Sequence, residues 1–139
     1  MSHVAKIEMQ IRDLDTLKAA CEQLRLQFMA GQRTYSWYGY STGDYPIPEG
    51  FTAADLGKCD HAIRVPGASY ELGVVQRNGK YLLLWDFYRD GGLERVLGKG
   101  ACKLKQAYSV ERVRREAKIK GYHVQERKTD QGIRLVLSK

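Results

Sequence analysis

Residues 70–88 read YELGVVQRNGKYLLLWDFY, which is two strand-like runs joined by Asn78-Gly79. Asn-Gly between β-forming residues predicts a two-residue hairpin turn, because the turn that matches strand twist requires positive φ at both central positions. The turn length sets the register, with Arg77 opposite Lys80. One face is then almost wholly apolar and is predicted to be core, with the pairs Gln76/Tyr81, Val74/Leu83, Leu72/Trp85 and Tyr70/Phe87.

The other face of this hairpin carries Val75/Leu82, Gly73/Leu84 and Glu71/Asp86. Because the second strand is apolar on both faces, it is predicted to lie in the middle of a sheet. Glu71 and Asp86 are expected to face each other, and like charges directly opposite destabilise a sheet. The compensation could come from solvent, from a basic neighbour such as Arg64, from a metal or from a shared proton. The pair is therefore a salt-bridged or solvated edge, an acid/base or metal site, or an anion pair that docks a partner.

The flanking sequence supplies the remaining elements. Alternation over residues 4–12 predicts a strand, helical spacing continues from Leu14 to about residue 24, and a short strand follows near residue 28. Further strands are predicted at 61–65, 122–127 and 133–137, with one or two helical turns at 93–97 and a long helix over about 104–120. The chain is therefore predicted to be a single α+β domain over residues 1–139. We expect a mostly antiparallel sheet with two main helices packed on one face, in the order β-α-β-loop-β-β-β-α-β-β.

The long helix separates an apolar stripe from a basic face. Its predicted inward residues are Leu104, Ala107, Val110, Val113 and Ala117, and its outward residues are Arg112, Arg114, Arg115, Lys118 and Lys120. Residues 99–139 hold twelve Lys or Arg and four Asp or Glu, out of a net charge of +7 for the chain. The basic face could contact nucleic-acid phosphates or an acidic protein partner. It could equally be a solvated face with an internal ion pair such as Glu111–Arg115.

Residues 31–58 break the pattern, with five glycines, Pro46 and Pro48, and several aromatics. A long loop in a small domain is often functional or mobile. Trp37, Tyr38 and Tyr40 form a candidate aromatic contact surface that could stack unpaired bases. Alternatively, these aromatics close over the core or form an oligomer contact.

Composition argues against several classes of function. No apolar run approaches the length of a membrane span, and the first residues lack the pattern of a signal peptide, so a soluble cytoplasmic protein is expected. Three widely spaced cysteines favour free thiols over a disulfide framework or a metal site. Residues 92–100 do not match a phosphate loop, and no nucleophile lies near a histidine in sequence. We therefore expect no enzymatic activity and no cofactor.

The order and spacing of several stretches resemble a known family. They are residues 1–3, 6–24, 60–64, 70–73, 84–88 and 104–108, with Ala117, Gly121-Tyr122 and Gly132 to Leu135 at the end. Together they resemble the family called hypothetical chloroplast open reading frame thirty-five, an uncharacterised domain in plastids, cyanobacteria, other bacteria and phages. This chain departs from the family pattern in its aromatic loop 31–58 and in Gln131-Gly132, where Asp-Gly is usual. The resemblance implies an accessory or adaptor role beside an AAA-type ATPase.

These observations lead to one expected function and two alternatives. The expected function is a small basic binding module that acts as an accessory or adaptor in a larger assembly, and the family resemblance implies an AAA-type ATPase as the partner. The first alternative is RNA or DNA binding through the basic helix. The second alternative is a metal or acid/base site at Glu71 and Asp86.

Overall fold

The computed structural model describes residues 3–41, 43 and 45–138. Its α-helices and β-strands follow one another as β1 (Val4–Lys6), α1 (Leu14–Gln23), β2 (Gln27–Met29), β3 (His61–Arg64), β4 (Glu71–Arg77), β5 (Lys80–Asp86), α2 (Leu93–Leu97), α3 (Cys102–Ile119), β6 (His123–Thr129) and β7 (Gly132–Ser138). Short 3₁₀ turns lie at Ala53–Asp55, Arg89–Gly91 and Lys99–Ala101. The α+β prediction is confirmed.

Five strands form one antiparallel sheet in the order β1-β5-β4-β3-β2. The β4–β5 hairpin turns at Asn78-Gly79 and has the predicted register from Arg77/Lys80 to Gly73/Leu84. As predicted, β5 lies inside the sheet, between β4 and β1. The last two strands differ from the expectation of one sheet, because β6 and β7 pair only with each other among the described strands. Tyr122 donates its amide to Ala117, so the chain turns back at the end of α3.

The two faces of the large sheet are covered in different ways. α1, α2 and α3 cover one face, where Leu72, Val74 and Leu83 pack with Leu17, Leu93 and Leu104. On the opposite face, Val75 and Leu84 pack with Tyr35, Leu56 and Cys59 of the segment that joins β2 to β3. Residues 31–58 therefore serve as a cover for the second face of the sheet, and we call this segment the covering loop.

Two sequence predictions about local structure were wrong. The strand expected over residues 4–12 ends at Lys6, and only an isolated bridge between Ile11 and Tyr81 resumes the pairing. A turn closed by the Met9 amide and the Ile7 carbonyl bends the chain between them, which keeps both Ile7 and Ile11 buried. In α3, Val113 was expected to point inward but is 40% exposed, so it lies outside the buried stripe of Leu104, Ala107, Val110 and Ala117.

The start of α1 and the end of α3 each have an identifiable local cause. Asp13 caps α1, because its carboxylate accepts hydrogen bonds from the amide and hydroxyl of Thr16 at 2.7 and 2.8 Å. α3 ends at Ile119. Gly121, two residues later, has φ +81°, a conformation that glycine adopts without strain and that is common just after a helix end. Among the described residues, no helix is both long and apolar enough to cross a membrane.

Candidate functional site

Asp86 is more deeply buried than Glu71, the other residue of the predicted acidic pair. Its side chain is fully buried, and its carboxylate accepts backbone hydrogen bonds from His3, Tyr38 and Tyr88 at 3.0 to 3.1 Å. A buried carboxylate is costly unless hydrogen bonds replace its water, and here three amides replace it. Asp86 thereby joins the N-terminal segment, the covering loop and the residues after β5.

Glu71 holds the same loop from the neighbouring strand. One of its carboxylate oxygens accepts hydrogen bonds from the Ser36 amide, the Ser36 hydroxyl and the Gln32 side chain, at 3.0 to 3.1 Å. Its other oxygen lies 3.5 Å from Nε of Arg64, the basic neighbour that the sequence suggested. Glu71 is therefore a salt-bridged carboxylate that anchors the start of the covering loop.

The prediction that Glu71 and Asp86 face each other was wrong, because both residues contact the covering loop instead. The β4–β5 ladder ends at Gly73/Leu84, and the Glu71 amide donates to the Ser36 carbonyl at 2.9 Å instead of continuing toward Asp86. Glu71 pairs across the sheet with Arg64, and Asp86 pairs with Val4. Residues 36–38 thus lie between the two carboxylates and separate their roles. The described residues include no group of three His, Cys, Asp or Glu placed to hold a metal ion.

Two glycines make room for aromatic side chains of the loop, one in strand β4 and one in the loop itself. A Cβ on Gly73 would lie 2.4 Å from the ring of Tyr35, and one on Gly57 would lie 2.4 Å from Nε1 of Trp37. Tyr35 is buried, and its burial raises the pKa of the phenol to about 12. The aromatics therefore close over a core, which is one of the alternatives that the sequence left open.

The predicted aromatic contact surface divides into a packed part and an exposed part. Trp37 is half-buried against the cluster around Tyr35. Tyr40 is 62% exposed, and its ring centroid lies 4.9 Å from that of Tyr38, with the two hydroxyls 3.3 Å apart. This hydrogen bond with Tyr40 raises the pKa of the Tyr38 phenol. Of the three residues, Tyr40 is therefore the most exposed to a partner, with the half-buried Tyr38 beside it.

Two of the five predicted basic residues on α3 have carboxylate partners within the protein. Arg114 is paired with Glu126 of β6 and lies 3.7 Å from Glu111, and Lys120 lies 3.4 Å from Glu116. The predicted Glu111–Arg115 pair was wrong, because the buried Glu111 turns toward Gln23 of α1 and toward Arg114. Arg114 therefore ties α3 to the β6–β7 hairpin.

Arg115 donates a hydrogen bond to the main-chain carbonyl of Asp15 at 3.2 Å. It forms no ion pair with a carboxylate in the described part of the chain. Arg112 and Lys118 are exposed, and neither forms an ion pair within the described part of the chain. Ile119 beside them is 86% exposed. We call Arg112, Arg115, Lys118 and Ile119 the outer stripe of α3.

Sequence reasoning missed Ser36, Tyr35 and Ile119. Ser36 is an ordinary loop residue in the sequence, and its role rests on its backbone amide and carbonyl together with its hydroxyl, all of which bond to Glu71. The glycine at position 73 in an apolar strand was a usable signal, because glycine inside a strand often marks the close approach of another group. Ile119 could have been found as an apolar residue that breaks the basic face.

Comparisons with protein-family models, with curated proteins and with solved structures found no match to this chain. The family resemblance stays a prediction, and the functional argument depends on the geometry of the described residues.

Proposed function

We propose that the protein is a non-enzymatic binding module that docks an acidic surface of a protein partner through the outer stripe of α3. The observation that carries the proposal is the 86% exposure of Ile119 next to exposed cations that form no close ion pair among the described residues. Protein interfaces combine an apolar contact with a polar rim, and arginine is enriched in them.

Helical spacing supports one continuous docking surface. Arg112, Arg115 and Ile119 are three and four residues apart, so they lie on the same side of α3. Arg115, Lys118 and Ile119 also line a common shallow depression. A carboxylate of the partner could pair with Arg112 or Arg115 while an aliphatic side chain covers Ile119.

The accessory role rests on two further arguments. The two carboxylates with the best claim to chemistry, Glu71 and Asp86, are occupied in holding the covering loop. The resemblance to the family of hypothetical chloroplast open reading frame thirty-five favours an adaptor beside an AAA-type ATPase. A binding module that supports a larger assembly accounts for both.

Nucleic-acid binding is a second candidate, favoured by the uneven charge of the chain. Residues 99–139 contain three times as many basic as acidic residues. Contacts with phosphates would be independent of sequence and would weaken steeply with salt. Ile119 distinguishes the candidates, because a phosphate backbone gains little from an exposed aliphatic side chain.

The decisive experiment is affinity capture from the native host with the wild type, Ile119→Ser, and the double variant Arg112→Glu/Lys118→Glu. We expect both variants to lose the captured partner. These positions are preferable to Arg114 and Arg115, whose side chains hold α3 to Glu126 and Asp15. The double variant Lys80→Glu/Arg89→Glu makes the same change in net charge at exposed positions of another surface, and it should retain the partner.

A parallel titration with single-stranded and duplex oligonucleotides at low salt tests the second candidate. Binding that Arg112→Glu/Lys118→Glu abolishes and Ile119→Ser leaves intact would replace the protein-docking proposal with nucleic-acid binding. Capture that is unchanged in both outer-stripe variants would overturn the proposal outright.

A further inference from the structure

The free edge of β7 differs from every other strand edge in the described part of the chain. The two edges of the large sheet are β1 and β2, which are only three residues long. β7 is seven residues long, reads GIRLVLS and pairs with β6 without a bulge. Proteins usually protect long edges with charges, prolines or bulges, and β7 has only Arg134.

β6 shows the protection that β7 lacks. The charged residues of the hairpin strands are concentrated in β6, with Glu126, Arg127 and Lys128 in succession. β7 has aliphatic residues at Ile133, Leu135, Val136 and Leu137, and Leu137 is 45% exposed. The composition of β6 therefore suits an edge that faces water, whereas the composition of β7 suits a strand that pairs with another strand.

The register of the hairpin identifies the free hydrogen-bonding groups. Residues 130–131 form a two-residue turn between Thr129 and Gly132, so those two form a hydrogen-bonded pair and every second pair after them does the same. Gly132, Arg134 and Val136 therefore direct their amides toward β6. Ile133, Leu135 and Leu137 direct their amides and carbonyls outward, where another strand could bind.

We propose that the occupant of this edge is β7 of a second copy of the protein, in an antiparallel four-stranded sheet with a two-fold axis at Leu135. In this register Leu135 pairs with Leu135 of the second copy, and Ile133 pairs with Leu137. The outward amides and carbonyls of both strands are then satisfied together.

Avoidance of charge repulsion favours this register. With the axis at Leu135, each Arg134 lies opposite Val136 of the second copy, and all seven residues of β7 are paired. Moving the axis to Arg134 would place the two arginines directly opposite each other, which is unfavourable. Moving it to Val136 would reduce the number of paired residues in β7.

The position of α3 extends the contact beyond the strands. Glu126 lies on the same face of the hairpin as Leu135 and reaches Arg114, so this face turns toward α3. Two hairpins side by side would place their centres two strand spacings apart, about 9.6 Å, which matches the usual distance between packed helices. A stable dimer buries about 800 Å² per partner, and the helix contact supplements the strand edge.

Sedimentation equilibrium at about 0.15 M salt tests the proposal, because charge repulsion between the copies is then screened. We expect the mass to approach twice the 15.8 kDa of one chain as concentration rises. Val136→Arg should weaken dimerisation about tenfold or more, because each new arginine would lie opposite Arg134 of the other copy, which gives two like-charge contacts in the dimer. Val136→Glu should strengthen it. Gln125→Arg, on the same face but in β6, is the matched control and should have little effect.

Cysteine cross-linking tests the register itself. In a Cys102→Ser background, which removes the exposed native thiol, Leu135→Cys should form an intermolecular disulfide on oxidation because the two Cα atoms would be about 5.5 Å apart. Val136→Cys, one residue away, should not. A mass of 15.8 kDa up to about 1 mM protein would overturn the proposal, as would equal cross-linking at both positions. Both results are independent of the outer stripe of α3, so this proposal and the proposed function can fail separately.

Discussion

Gly73 of the sheet is in direct contact with the ring of Tyr35 in the covering loop. A Cβ added at residue 73 would lie only 2.4 Å from the nearest carbon of that ring. Tyr35 is 3% exposed and packs with Leu84 and Val75. The absence of one methyl group in β4 therefore makes room for the aromatic side chain that closes this face of the core.

Gly73→Ala should destabilise the protein by about 1–3 kcal/mol, because the added methyl group overpacks the contact with Tyr35. Urea unfolding of the wild type, Gly73→Ala, Tyr35→Ala and the double variant would measure the coupling between the two positions. Additive losses in the double variant would show that the methyl group is accommodated elsewhere.

Tyr35→Phe should leave stability unchanged or raise it by about 1 kcal/mol. The Tyr35 hydroxyl is buried, and it has no hydrogen-bond partner among the described residues. Removing an unsatisfied buried polar group relieves its desolvation cost. Thermal unfolding of the two proteins would give the difference, and a clear loss of stability would mean that the hydroxyl has a partner, such as a bound water.

Asp86→Asn should loosen the covering loop before the rest of the protein unfolds. An amide side chain is uncharged and offers one acceptor oxygen instead of two, so the donors from His3, Tyr38 and Tyr88 all lose a charged acceptor and at least one of them loses its hydrogen bond. We expect a loss of about 2–3 kcal/mol, as for a hydrogen bond to a charged group. Hydrogen exchange should show faster exchange of the Tyr38 amide.

The matched variant for that experiment is Asp90→Asn, since Asp90 is an exposed acid whose nearest cation is its neighbour Arg89. Its exchange rates in the loop should equal those of the wild type. Equal protection of the Tyr38 amide in Asp86→Asn would contradict the anchoring role.

Asp13→Asn should cost stability at neutral pH and little in acid. Partial burial of Asp13 raises the pKa of its carboxyl, but hydrogen bonds from Thr16 and the charges of Arg115 and Arg112 outweigh it, so the pKa is lowered. The folded state therefore gains stability above the unfolded pKa of about 3.9 and loses it as the pH falls through the lower folded pKa.

Urea unfolding of the wild type and Asp13→Asn should differ by about 0.3–1 kcal/mol at pH 7, because asparagine still caps the helix and only the solvent-screened charge at its start is lost. The difference should shrink below about pH 4. Asp15→Asn, in the first turn of the same helix, is the control for a general effect of negative charge near the helix start. A difference that persists unchanged into acid would assign the role of Asp13 to its shape alone.

Much of the fold follows from local patterns in the sequence, whereas the candidate site depends on contacts between distant residues. Asn78-Gly79 fixes a turn, and the register of Val74/Leu83 follows directly from it. The role of residues 36–38 could not be predicted, because it depends on main-chain groups that every sequence contains, together with the hydroxyl of Ser36. Val113 was misplaced since helical spacing identifies a stripe but not how wide its buried part is.

Asp86 recognises the covering loop through the main-chain amide of Tyr38, which every amino acid except proline provides. Evolution can therefore replace the side chain at position 38, and that of the exposed Tyr40, without releasing the loop from the sheet. This face of the protein can acquire new surface chemistry while the core beneath it remains closed, as antibody loops diversify on an invariant framework.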